Sequence, residues 1–127
     1  MAQDYSLKTK NDLATLLASN NGIVIIKFHA TWCGPCKKIE SLVHTHFSKL
    51  PDNVRTYEVD IDQAFELYGF LKTKKVVNGI PVMLAYFNEN KHYIPDDLII
   101  GTDEKKINDF FSIRRAGLVC RHSSIPL

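Results

Sequence analysis

Between Ile23 and Lys37 an apolar, β-branched run, Ile23-Val24-Ile25-Ile26, gives way to Ala30-Thr31-Trp32-Cys33-Gly34-Pro35-Cys36-Lys37 and then to helical periodicity. A chain with that order has few ways to fold. An uninterrupted β-branched run suits a central strand covered on both faces. Cys33 then stands where the strand hands over to a helix. Unpaired backbone N–H groups and the positive end of the helix dipole gather at such a point. Both favour the thiolate, the nucleophilic form of cysteine. A thiol of pKa about 8.5 is only a few per cent ionised at pH 7, whereas one near 7 is roughly half ionised. Cys36 follows three residues on, on the same helical face and within reach of a small-ring disulfide. Pro35 is tolerated because first-turn N–H groups have no intrahelical partner. Cys33 is expected to be the more exposed, more acidic, attacking thiol, and Cys36 the resolving one.

The flanking chain supplies a sheet and its helices. Tyr5 to Lys8 alternates and reads as an edge strand. Asn11-Asp12 is expected to cap a helix bearing Leu13, Leu16 and Leu17, which ends at Asn20-Asn21-Gly22 with Gly22 suited to a left-handed stop. Ile39, Leu42, Val43, Phe47 and Leu50 carry helical spacing on from the cysteines to Pro51-Asp52-Asn53. Val54 to Ile61 reads as a second, parallel strand, and Gln63 to Leu71 as a helix with Phe65, Tyr68 and Leu71 on its apolar face. Val82 to Phe87 is a strand, followed by another within Lys91 to Ile100 that is interrupted at Pro95-Asp96-Asp97. Thr102 or Asp103 caps a last helix that turns Ile107, Phe110 and Phe111 inward. The order βαβαββα predicts an α/β fold, a mixed sheet with helices on both faces.

The 127 residues suffice for a single domain with its own core, here about residues 5–115, and 117–127 reads as a tail. A net charge of +2 argues for neither nucleic acid nor a membrane surface as a partner. No apolar run approaches the roughly 20 residues that span a bilayer. The start, Met1-Ala2-Gln3-Asp4, shows no basic segment leading into an apolar one. With only three cysteines and no disulfide framework, a reducing, cytoplasmic setting is expected. Zinc usually takes four ligands. One cysteine pair is present, and His44 and His46 fall on different helical faces, so no metal is expected. Cys120 reads equally as an exposed free thiol or as a small apolar filler.

Trp32-Cys33-Gly34-Pro35-Cys36-Lys37 after an apolar strand, with Gly79-Ile80-Pro81 about 45 residues later, resembles the thioredoxin family. The resemblance covers about residues 5–115 and implies the thioredoxin fold. It implies a protein disulfide reductase, a protein-disulfide oxidoreductase without metal or organic cofactor. Disulfide-containing proteins would be its substrates, and a separate thioredoxin-reductase-like donor would recharge it. The same chemistry run backwards would make it a disulfide oxidase or isomerase, and a thioredoxin-fold binding module is a further alternative. By resemblance Ile80–Pro81 is cis and packs beside the disulfide, leaving the Ile80 backbone free to pair with substrate. Trp32, Gly34, Pro35, Ile80 and Pro81 then form the substrate-binding face, with Trp32 shielding the sulfurs.

Several positions depart from the family. Lys27 stands where the family usually has a buried aspartate that assists proton transfer at the second cysteine. If Asp62-Gln63 matches the family's Asp-Gln, the family's partner lysine falls on Glu58. A Lys27–Glu58 pair beneath Cys36 would make both residues candidates for the proton shuttle, with Glu58 or water carrying the proton. The alternative is that Lys27 turns its head to solvent. His29 replaces a frequent aromatic and could titrate near the site. Two stretches, around Phe70-Leu71-Lys72-Thr73-Lys74-Lys75 and Tyr93-Ile94-Pro95-Asp96-Asp97, are a few residues longer than usual. Lys72, Lys74 and Lys75 could favour acidic partners or simply solvate a helix end.

Overall fold

The computed structural model describes residues 2–3 and 7–112. Tyr5, Cys120 and the 117–127 tail lie outside the described residues. The elements in chain order are β1 (Ala2–Gln3), α1 (Lys10–Ala18), β2 (Ile23–His29), α2 (Gly34–Lys38), α3 (Glu40–Ser48), β3 (Val54–Asp60), α4 (Phe65–Thr73), β4 (Val82–Phe87), β5 (Asp97–Ile100) and α5 (Glu104–Ser112). The five strands form one sheet in the order β1-β3-β2-β4-β5. β1 and β2 run parallel to β3, while β4 runs antiparallel to both β2 and β5. The α/β mixed sheet of the thioredoxin fold is therefore present, with β2 at its centre. The β-branched run at Ile23–Ile26 is wholly buried, as a strand with neighbours on both edges and helices on both faces requires.

Alternation along β2 sorts its side chains between two cores. Val24, Ile26 and Phe28 join Leu13 and Leu17 of α1 and Leu67 and Leu71 of α4. Ile23 and Ile25 join Val43 and Phe47 of α3 and Ile107, Phe110 and Phe111 of α5. His46 also turns into this second layer. Its ring stacks on Phe111 at 4.5 Å and its Nε2 meets Asn108 Oδ1 at 2.7 Å. Lys27 alternates with Phe28 and so faces the α3 side.

Local corrections each have a physical reason. The edge strand is at Ala2–Gln3; Leu7 and Lys8 are not in a strand. The cap of α1 is Thr9, not Asn11-Asp12. Thr9 Oγ1 accepts from the Asp12 N–H at 3.1 Å, and the Asp12 carboxylate accepts from the Thr9 N–H at 3.0 Å, a reciprocal box that satisfies two orphan donors. Gly22 is not in the left-handed region, since the positive-φ glycines described are Gly79 and Gly101. It is a glycine because a Cβ there would collide with the Asn53 carbonyl oxygen, where β2 and β3 begin side by side. Phe65 is not on the inner face of α4: it is 71% exposed, and Leu67 and Leu71, one turn apart, take the sheet side. The helix after the cysteines is two helices. Ile39 leaves helical dihedrals (φ −105°, ψ 4°) and packs beside Val43 and Phe47. Asp103 caps α5, its Oδ1 accepting from the Lys105 and Lys106 N–H groups at 3.0 and 3.2 Å.

Candidate redox site

β2 ends at His29, and Ala30 to Trp32 turns the chain over the end of the sheet, closed by a Cys33 N–H bond to the Ala30 carbonyl at 3.2 Å. Cys33 is the N-cap of α2, with extended dihedrals (φ −92°, ψ 105°). Its Sγ accepts from the Cys36 backbone N–H at 3.1 Å. Pro35 occupies the first turn, where its missing N–H costs no helical bond. Cys33 and Cys36 form a disulfide with their Cα atoms 5.3 Å apart.

The break at Ile39 leaves α2 only five residues long, so its aligned dipole is short. A local donor, the Cys36 N–H aimed at Cys33 Sγ, supplies the stabilisation that a long helix was expected to give. A hydrogen bond to an ionised sulfur favours the thiolate and lowers its pKa.

The expected difference in exposure is not present. Cys33 is 4% exposed and Cys36 3%. With Ala30 they form a small apolar cluster against which Ile61 and Ile80 pack. Trp32 beside them is 64% exposed. Its Nε1 donates to Asp62 Oδ2 at 2.8 Å, which ties the indole to the turn after β3. Gly34 and Pro35 are exposed, with open space above Gly34. The Ile80–Pro81 bond is cis. Pro81 is buried just ahead of β4, and its carbonyl accepts from the Gly101 N–H at 3.0 Å.

Behind Cys36 lies a cavity of about 240 Å³ lined by Lys27, His29, Ala30, Thr31, Cys36, Lys37, Glu40 and Glu58. The structure thus brings the two predicted proton-handling residues to the resolving cysteine. Lys27 and Glu58 are register partners across β2 and β3. They do not form the expected ion pair: Glu58 Oε2 is bonded instead to His44 Nε2 of α3, at 2.8 Å. His44 is the more exposed partner, and Glu58 still lines the cavity with Lys27. Burial lowers the Lys27 pKa, while the Glu58 and Glu40 carboxylates act to hold it up. His29 is also lowered, first by burial and then by the Lys27 cation, which keeps its ring neutral at pH 7. Its Nδ1 is sealed from solvent without a hydrogen-bond partner.

Sequence reasoning missed the Trp32–Asp62 and His44–Glu58 contacts. Both join segments far apart in the chain, and only an acidic residue at the end of a strand parallel to β2 hinted at the first. The two longer stretches meet on the other side of the sheet, where Phe70 packs edge-on against Tyr93 at 5.0 Å.

Comparison with known proteins agrees with this geometry. The family model described as Thioredoxin matches residues 5–112. Thioredoxin-1 of Drosophila melanogaster is 28% identical over 108 residues, covering 84% of this chain and 94% of that protein. Thioredoxin of Gallus gallus is 43% identical over 78 residues, 61% of this chain and 70% of that protein. The X-ray structure of Fasciola hepatica thioredoxin superposes with a TM-score of 0.66 at 28% identity, over 85% of this chain and 96% of that one. A closed Cys33–Cys36 pair, in this fold and with these relatives, supports dithiol–disulfide exchange. The chain belongs to the thioredoxin family and is a protein-disulfide oxidoreductase.

Proposed function

We propose that the chain reduces disulfides in protein substrates by attack of Cys33, and that a separate thioredoxin-reductase-like donor returns it to the dithiol in a reducing, cytoplasmic compartment. The observation that carries this reading is the Cys36 N–H aimed at Cys33 Sγ, 3.1 Å away. It favours negative charge on that sulfur over the other.

The Cys33 thiolate attacks one sulfur of the substrate disulfide. The Cys33–substrate S–S bond forms, the substrate S–S bond breaks, and the departing thiolate takes a proton. Cys36 then loses its proton and attacks Cys33 Sγ. The mixed disulfide breaks, the second substrate thiolate leaves and takes a proton from water, and the Cys33–Cys36 bond closes. The substrate gains two electrons and two protons, and the cysteine pair is oxidised. The proton from Cys36 enters water in the cavity behind it, and the Glu58–His44 pair carries it outward. Trp32, Gly34, Pro35, Ile80 and Pro81 form the face that meets the substrate. Because the sulfurs are nearly covered, an incoming segment must press into this face, which selects extended, accessible disulfides.

Insulin reduction with dithiothreitol as donor tests the reading. The protein should accelerate precipitation of the reduced insulin chain, and Cys33→Ser should lose the acceleration. A protein that binds insulin equally well with either residue, and accelerates nothing, would be a binding module instead.

A further inference from the structure

Lys27 is the one Lys, Arg, Asp or Glu side chain buried among the described residues, at 2% exposure. A cation in such a place is costly unless something in the protein answers it. The obvious partner, Glu58, is engaged with His44, and Lys27 makes no ion pair with a described residue. Its Nζ is not among the polar atoms sealed away without a partner, so it meets the space of the cavity that Cys36 also lines. In the oxidised protein the Glu58 and Glu40 carboxylates line the same cavity, but neither forms an ion pair with the ammonium. In the reduced protein, or in the mixed disulfide, Cys36 supplies a further anion.

We propose that Lys27 is an electrostatic positioning residue for the resolving step: its ammonium stabilises the Cys36 thiolate that attacks Cys33 in the mixed disulfide. This rests on the exchange mechanism above and deepens it. Lys27 donates no proton and takes none. Cys36 loses its proton to cavity water, its sulfur becomes an anion facing the buried ammonium, and the S–S bond to Cys33 then forms as the substrate thiolate leaves.

The other charged groups around Lys27 set the sign and size of the effect. Glu58 and Asp60 of β3 and Glu40 of α3 oppose it by adding negative potential. His29 on the same strand is neutral at pH 7. Lys37 of α2 adds to it, but is exposed and screened by solvent. His44 of α3 binds the Glu58 carboxylate, which still lines the cavity. An ammonium that faces the same cavity as a sulfur lowers the thiol pKa, by about one unit where the space between them excludes bulk water. Without the ammonium, the Cys36 thiolate fraction near neutral pH should fall about tenfold.

The test measures the thiol itself. In the Cys33→Ser background Cys36 has no disulfide partner, and its Cβ chemical shift can be followed against pH. Lys27→Met keeps the apolar stem and removes the charge. It should raise the Cys36 pKa by about one unit, with slower closure of a preformed Cys33 mixed disulfide in the otherwise native chain. Lys27→Gln, which keeps a polar head in the cavity and removes the charge, should raise the Cys36 pKa likewise. A Cys36 pKa that stays put or falls in Lys27→Met overturns the proposal. So does one that stays put or falls in Lys27→Gln, which decides alone if Lys27→Met does not fold. The readout does not depend on protein substrates. Failure to reduce insulin would therefore count against the proposed function and leave this result standing.

Discussion

Trp32 and Asp62 are 30 residues apart in sequence, yet the indole N–H and the carboxylate meet at 2.8 Å on an exposed face. The indole is 64% exposed, and the Asp62 bond holds it beside the disulfide rather than letting it swing free. Asp62→Ala should release it. The bond is exposed, so stability should change by no more than about 1 kcal/mol. The indole should gain mobility in time-resolved fluorescence anisotropy, and the KM for insulin should rise with kcat little altered. A ring that stays fixed, with KM unmoved, would show that Asp62 does not position it. At this scale the sequence was legible where chemistry sits on neighbouring residues. Cys33, Cys36 and Pro35 stand in one short stretch whose geometry follows from capping rules. It was not legible where function depends on a distant partner. Glu58 could be paired with Lys27 through the family resemblance at Asp62-Gln63, but nothing in the chain said that His44 would take its carboxylate. The near-equal burial of the two sulfurs depends on Ile61 and Ile80, which no local rule brings to the cysteines.

At the scale of elements, β2 and α1 were legible because β-branched runs and leucine periodicity are strong signals. Even so, the Thr9-x-x-Asp12 box was present in the sequence and identifies the start of α1 better than Asn11-Asp12 does. The division of α2 from α3 was not legible: Ile39 satisfies the helical apolar spacing while its dihedrals leave the helix, and packing decides between the two. Gly22 shows the same limit, since its role is a close approach to the Asn53 carbonyl, which itself accepts from the Ile23 N–H at 2.9 Å. Gly22→Ala should force β2 and β3 apart at their starts and destabilise the protein by about 1–3 kcal/mol. Urea unfolding should show a lower midpoint with an unchanged slope. A midpoint within error of the native protein would mean that the two strand ends adjust freely.

For the whole molecule, the sheet does two jobs through one strand. β2 lies at the centre of both cores, and its far end delivers the chain to Cys33 while Lys27, two residues before that end, reaches the cavity behind Cys36. The alternation of elements made the fold class readable, because a strand buried on both faces needs helices on both. Which helix covers which face was not readable, and that is what places His44, Glu40 and α3 next to the redox site. The exchange depends on an order of events: Cys33 attacks first and Cys36 closes second. Trapping measures that order directly. Cys36→Ser mixed with a disulfide-bonded protein substrate should accumulate a covalent complex through Cys33 that dithiothreitol dissolves, and Cys33→Ser should accumulate none. A complex formed through Cys36 in Cys33→Ser, or none at all in Cys36→Ser, would contradict it.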